Sequence, residues 1–399
     1  MKKLRIMKII ALIMTTVLIM SVGLGNTAYA AKTDEAEAQE NEISTEPVTR
    51  ADGGKFRIAY IDYDEYLVAS RQVYYILSGL QELGWIKENG IPFTLKEIEQ
   101  KNMSTRDMYA ILQETDLGPY IEFVKDGFFY LGYDDRNKVA SALKSRAGKD
   151  IDMIITFGTS AGIFVKELNL PIPMMDFSAT DPVASGIIDS STEGSGNPNV
   201  WAQVEPESTF RQVKYYYLNK PFKKLGSIVY GDEIIAGFPD VTRCSQEYGF
   251  EVVKYNIDEQ PRETREELEV YYKMVGELIS KMSEEGIDAF LLPVDVINEV
   301  ERLEKLLIPL YNKNIPIYLL DDPQAVKYGG LMLISANDMV NVGRFIADAI
   351  AKVFNGAEAG SLPCVYSSAP GIYVNYKVAQ RIHFPLKFNF LVVCDEIFS

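Results

Sequence analysis

Gly158-Thr159-Ser160-Ala161-Gly162 is the stretch of this chain best equipped for chemistry. It follows the apolar run 153–157, whose length suits a buried parallel strand, and it leads into 161–168, which reads as a helix. Such a turn presents free backbone N–H groups and two hydroxyls at the positive end of a helix dipole, a setting for an anion. The spacing also fits Gly-x-Ser-x-Gly, the pattern of a nucleophilic serine on a strand-to-helix turn. The single histidine, His383, comes late enough in the chain to serve it. However, the glycine-rich oxyanion segment of such hydrolases is absent, and His383 stands beside Phe384-Pro385 near the chain end. The chain is expected not to be an enzyme; a secreted serine hydrolase using Ser160 and His383 is the lesser alternative.

The elements around this turn read as alternating strands and helices. Pro171 and Pro173 end the helix, and 174–177 starts a second strand closed by Ser178-Ala179-Thr180-Asp181-Pro182, with Asp181 a turn residue. Upstream, 56–63 is a strand and 68–83 an amphipathic helix with Val73, Ile76, Leu77 and Leu80 on one stripe. A helix at 105–115 and a strand within 120–133 follow, and Asp134-Asp135 caps a helix running through Ser145. The Ser/Gly/Asn/Pro-rich stretch 189–198 is expected to be a hinge. Beyond it come helices at 207–219, 234–248, 263–285, 296–312 and 337–354. They alternate with strands at 225–230, 251–255, 288–293, 316–320 and 331–334, and further strands are expected near 363–366 and 372–375.

Three strand–turn units recur in the same order. The stretch from Lys55 matches that from Lys224, Asp152-Met-Ile-Ile-Thr matches Asp288-Ala-Phe-Leu-Leu, and Ile172-Pro-Met-Met matches Ile315-Pro-Ile-Tyr. The fold class expected is therefore α/β, with two similar doubly wound, Rossmann-like lobes joined by a hinge. Residues 55–188 with about 322–356 would form lobe 1, and 189–321 with about 357–399 lobe 2. Two lobes with strand ends face to face make a cleft that a hinge can close.

Composition limits the function further. Lys2, Lys3, Arg5 and Lys8 precede the apolar stretch 9–22, and Ala28-Tyr29-Ala30 suits signal peptidase, so 1–30 reads as a signal peptide cleaved after Ala30. Losing those four basic residues takes the formal charge from −16 to −20. An exported acidic protein is a poor partner for nucleic acid or anionic membrane. Residues 31–54 read as a flexible acidic spacer. Cys244, Cys364 and Cys394 are far apart and odd in number, which suits three small hydrophobes. With one histidine and no paired cysteines, neither a metal nor a cofactor is expected.

Several stretches together resemble the extracytoplasmic substrate-binding proteins of ABC transporters, in the branch with tryptophan- and tyrosine-type receptors. They are Asp-Met-Ile-Ile-Thr-Phe-Gly-Thr-Ser-Ala (152–161), Ile-Pro-Met-Met-Asp-Phe-Ser-Ala-Thr-Asp-Pro-Val-Ala-Ser-Gly (172–186), Gly343 to Pro363, and Tyr373-Val-Asn375 with Ala379 and Pro385. The resemblance covers roughly residues 55–385. It departs at Asn199-Val-Trp201-Ala, at an insertion over 101–120, and in the first loop, Tyr63-Asp-Glu-Tyr66.

The resemblance implies a periplasmic-binding-protein type I fold, an ABC permease as partner, no nucleic acid, a monomer, and a location in the periplasm or on the outer face of the cell membrane. It implies a small ligand, an amino acid or related aromatic carboxylate. The ligand carboxylate would meet the Thr159 and Ser160 hydroxyls, the Ala161 N–H and Thr180; an ammonium would meet Asp295 or Asp321 from the facing lobe. Aromatic walls would come from Tyr63 and Tyr230, with Tyr66, Phe177 and Phe238 also near strand ends. A ligand-sensing exported protein that partners a membrane receptor is the alternative on the same fold.

Overall fold

The structure is a computed structural model, and it describes residues 43–399 except 66, 259, 263, 294–295, 298, 321, 336–337 and 368–369. The signal peptide read at 1–30 and the first part of the spacer lie outside the described residues. Residues 43–54, expected as flexible spacer, instead lie along the body. The Thr45 carbonyl accepts from the Trp85 indole N–H at 2.9 Å, the Glu46 carbonyl accepts from Asn355 at 3.0 Å, and Arg50 pairs with Asp152 at 3.4 Å. Two of these three ties use backbone carbonyls, which carry no sequence signal.

The first half runs β1 (Phe56–Asp62), α1 (Leu67–Glu82), α2 (Leu95–Lys101), α3 (Thr105–Leu112), β2 (Ile121–Tyr130), α4 (Arg136–Arg146), β3 (Met153–Phe157), α5 (Gly158–Glu167), β4 (Met174–Phe177) and β5 (Val200–Ala202). Its sheet is parallel throughout, in the order β2-β1-β3-β4-β5. β3 and β4 are buried along their whole length, as their unbroken apolar runs require.

The second half runs α6 (Ser208–Asn219), β6 (Lys224–Tyr230), α7 (Phe238–Tyr248), β7 (Glu251–Ile257), α8 (Arg265–Glu284), β8 (Ala289–Leu292), the short α9 (Leu303–Leu306) and α10 (Ile308–Asn312), β9 (Ile317–Leu319), α11 (Pro323–Lys327) and β10 (Met332–Ser335). α12 (Met339–Phe354) then packs on the first half, and the chain ends in β11 (Gly371–Asn375), α13 (Tyr376–Arg381), α14 (Phe388–Leu391) and β12 (Glu396–Phe398). The second sheet has the order β12-β11-β10-β9-β8-β6-β7, with only β10 and β11 antiparallel.

The repeat read in the sequence is a repeat of position. Asp152 accepts the Arg57 N–H at the start of β1 at 2.9 Å, and Asp288 accepts the Lys224 N–H at the start of β6 at 2.8 Å. Ile154 N–H donates to the Pro173 carbonyl, as Phe290 N–H does to that of Pro316, each at 2.9 Å. Each half buries its own hydrophobic cluster. α12 joins the first cluster by close approach to α1: a Cβ on Gly343 would lie 2.6 Å from the Tyr75 backbone, and one on Gly79 2.8 Å from the Ala347 side chain.

The boundaries differ from expectation. Residues 189–198 are not the crossover, because β5 beyond them pairs with β4, and Gly360 ties back to Ser195 and Pro198. β10, expected in lobe 1, belongs to the second sheet, and residues 357–365, expected in lobe 2, lie with the first half, where Val365 bridges Val204. Low periodicity at 189–198 reflected a long surface loop rather than a hinge. The chain passes between halves at 203–207, between Ser335 and Asp338, and between Tyr366 and Pro370. Elsewhere, α2 and β12 went unread, and 363–366 forms one bridge rather than a strand. The helix expected from 234 starts at Phe238, and the one expected over 296–312 is broken into short pieces.

Candidate functional site

A cavity of about 710 Å³ opens between the halves. Its walls are strand ends: Phe157 to Ser160 after β3, Ser178 to Thr180 after β4 and Tyr63 after β1, faced by Tyr230 and Asp232 after β6 and Leu320 after β9. Carboxyl ends of parallel strands are where open α/β sheets bind ligands, since loops there are free of the sheet's hydrogen-bond ladder.

At the organising turn, Gly158 has φ +78°, a left-handed conformation that a side chain would strain, and it aims α5 at the cavity. α5 has no side-chain cap, so the Ser160 hydroxyl on the cavity wall is not spent on capping its own helix. Thr159 Oγ1 accepts the Thr180 N–H at 3.2 Å, which locks the two turns together. The Thr180 hydroxyl crosses the cavity and donates to the Ile235 carbonyl at 2.7 Å. Ala161 is fully buried and does not line the cavity. Of the expected residues, the structure brings Tyr63, Thr159, Ser160, Thr180 and Tyr230 to one cavity. Asp295, Asp321 and Tyr66 lie outside the described residues. Phe177 and Phe238 belong to the cores, and Asp181 is a turn residue accepting the Val183 and Ala184 N–H groups.

Tyr230 is more constrained than its sequence position reveals. Its hydroxyl exchanges hydrogen bonds with the Gln260 backbone at 3.1 Å, and the Arg262 guanidinium lies 4.0 Å over its ring. Tyr63 has Arg136 at 5.7 Å over its ring. His383 does not line the cavity, so no imidazole faces Ser160 across it.

Sequence reasoning missed Arg71. It is 7 % exposed on α1, lines the cavity, and ties the halves: Nε lies 3.3 Å from Glu99, and Nη1 3.4 Å from Asp322 of the second half. Its signal was a lone arginine on the flank of an amphipathic helix, which reads as solvent-facing. Two buried carboxyls sit beneath the first-half wall. Asp62 accepts the Tyr63 N–H at 2.8 Å and the Tyr60 and Thr105 hydroxyls at 3.2 Å, and burial pushes its pKa up to about 8. Asp176 accepts the Thr156 hydroxyl at 2.6 Å, its other oxygen has no partner, and burial holds its pKa well above the usual range. Among the described residues, no group of three or more His, Cys, Asp or Glu could hold a metal, and no helix is long and apolar enough to cross a membrane.

Solved structures share this architecture. An ABC domain from Streptococcus pneumonia in complex with L-Trp superposes with a TM-score of 0.62 at 17% identity, covering 86% of this chain and 100% of that one. The chain has the type I periplasmic-binding fold of the ABC-type substrate-binding proteins. A conserved domain protein from Vibrio cholerae (TM-score 0.63, 15% identity, 86% and 99% covered) has the same fold. So does a substrate-binding protein with adhesive properties from Clostridium difficile, in its ligand-free, open form (TM-score 0.58, 17% identity, 86% and 99% covered). No protein-family model and no curated protein matches the sequence. The turn at Gly158 and the residues that face it across the cavity are therefore the first positions to test.

Proposed function

We propose that this chain is an extracytoplasmic solute-binding protein of an ABC importer, exported, monomeric and partnered with a membrane permease. Its two lobes close on one small solute, an amino acid or related aromatic carboxylate. The supporting observation is a cavity of about 710 Å³ whose wall is built from strand ends of both halves. Ser160 and Thr159 offer hydroxyl donors at the positive end of α5, Tyr63 and Tyr230 offer aromatic surface, and the Thr180 hydroxyl supplies a bond across the cleft. Asp295 and Asp321 are proposed carboxylate partners for a solute ammonium. The three passages between halves would act as the hinge.

Thermal-shift screening of the purified chain against amino acids, small carboxylates and amines tests this reading. A solute about 100-fold above its Kd should stabilise the fold by about 2.7 kcal/mol. A melting temperature unmoved by every class would count against it.

A further inference from the structure

The charge on the cavity wall is lopsided. Among its described residues are six carboxylates, Glu99, Glu205, Asp232, Asp338, Asp395 and Glu396, against two guanidiniums, and no lysine. Both guanidiniums are engaged: Arg71 lies between Glu99 and Asp322, and Arg262 lies over Tyr230. Three of the carboxylates accept hydrogen bonds from neutral donors, which leave the charge in place. Asp232 accepts the Ile234 N–H at 2.7 Å, Asp395 the Ile372 N–H at 2.7 Å, and Asp338 the Asn341 N–H at 3.2 Å and side-chain amide at 2.6 Å. Aromatic faces point the same way, since Tyr63 and Tyr230 each already hold an arginine over the ring. The whole chain carries −16, so its long-range field also repels anions.

We infer that the solute carries a protonated amino or guanidino group, and that this cation, rather than a carboxylate, supplies the charge recognition in the cavity. The inference rests on the solute-binding reading and narrows it. A carboxylate on the solute is tolerated at the α5 turn but is not required.

The test compares probes that share a ring and differ in charge: tryptamine, L-tryptophan and indole-3-propionate. A second set is agmatine, L-arginine and L-glutamate. Binding to the full purified chain is followed by thermal shift and calorimetry at low salt and at about 0.5 M salt, where screening is strong. The expected result is that a cationic probe of at least one set binds more tightly than its anionic counterpart and weakens with salt. Asp232→Asn, which keeps the oxygen that accepts the Ile234 amide, should weaken that cation roughly three- to tenfold without shifting the melting temperature of the unliganded chain. Three results overturn the inference while leaving a binding role standing: tighter binding of the anions, binding of L-tryptophan or L-arginine with their amines inert, or full affinity in Asp232→Asn. If neither these probes nor any solute of the wider screen binds, the solute-binding reading falls with it.

Discussion

The five strands of the first sheet have counterparts in β7, β6, β8, β9 and β10 of the second, yet beneath the cavity the two halves differ in polarity. Strand register pairs Thr156 with Asp176 in the first sheet and Leu292 with Leu319 at the matching place in the second. By the same register, Asp62 at the end of β1 answers to Val229 near the end of β6. Asp62 and Asp176 and their counterparts Val229 and Leu319 are all essentially inaccessible, so the fold itself does not need the two carboxyls. The first half holds them at the expense of desolvation, where Asp62 anchors the backbone of Tyr63 and Asp176 fills the space left by Gly162.

The sharpest way to break the comparison is to impose the first half's polarity on the second. Leu319→Asp would bury a carboxyl with Leu292, not a hydroxyl, beside it. It should destabilise the chain on the order of 3 kcal/mol or more, read from urea unfolding. Thr156→Val removes the hydroxyl that donates to the Asp176 carboxyl and should cost about 1–3 kcal/mol. A negligible loss there would mean that Asp176 finds another partner.

Asp62 sharpens the comparison through pH. Its native pKa is raised from the model-compound 3.8 to about 8, so the folded state holds a proton that the unfolded chain releases. That contribution is complete below the unfolded value and is lost as pH rises towards about 8, with a slope of up to about 1.4 kcal/mol per pH unit. Asp62→Asn cannot ionise, so its stability relative to the native chain should increase between about pH 5 and pH 8 in thermal melts. A pH-independent difference would mean that Asp62 is charged in the native state.

The smallest structural effect should come from Ser160→Ala. The hydroxyl does not cap α5, so the melting temperature should hold while solute affinity falls by a few-fold, about 1 kcal/mol for one hydrogen bond. Thr159→Val, by contrast, should also lower stability, because Thr159 accepts the Thr180 N–H.

The sequence made the architecture legible where burial and periodicity coincide. The runs 153–157 and 174–177 are buried on both faces, and the Asp152/Asp288 and Pro173/Pro316 pairs mark equivalent strands. Of the six expected contact residues that the structure describes, Tyr63, Thr159, Ser160, Thr180 and Tyr230 line one cavity and Ala161 does not. The passages between halves were misplaced because strand pairing at β5 and β10 depends on partners far along the chain, which local composition does not encode. Arg71 was missed for a related reason. Its burial comes from Glu99 and Asp322, one of them 251 positions away, and nothing in the surrounding helix announces that contact.

Titration calorimetry with the strongest stabiliser from the screen tests the central claim most directly. The account predicts one solute per chain, with affinity reduced both by Ser160→Ala in the first half and by Asp232→Asn in the second. Two solutes per chain, or affinity that responds to changes in one half alone, would contradict a single site shared between the lobes.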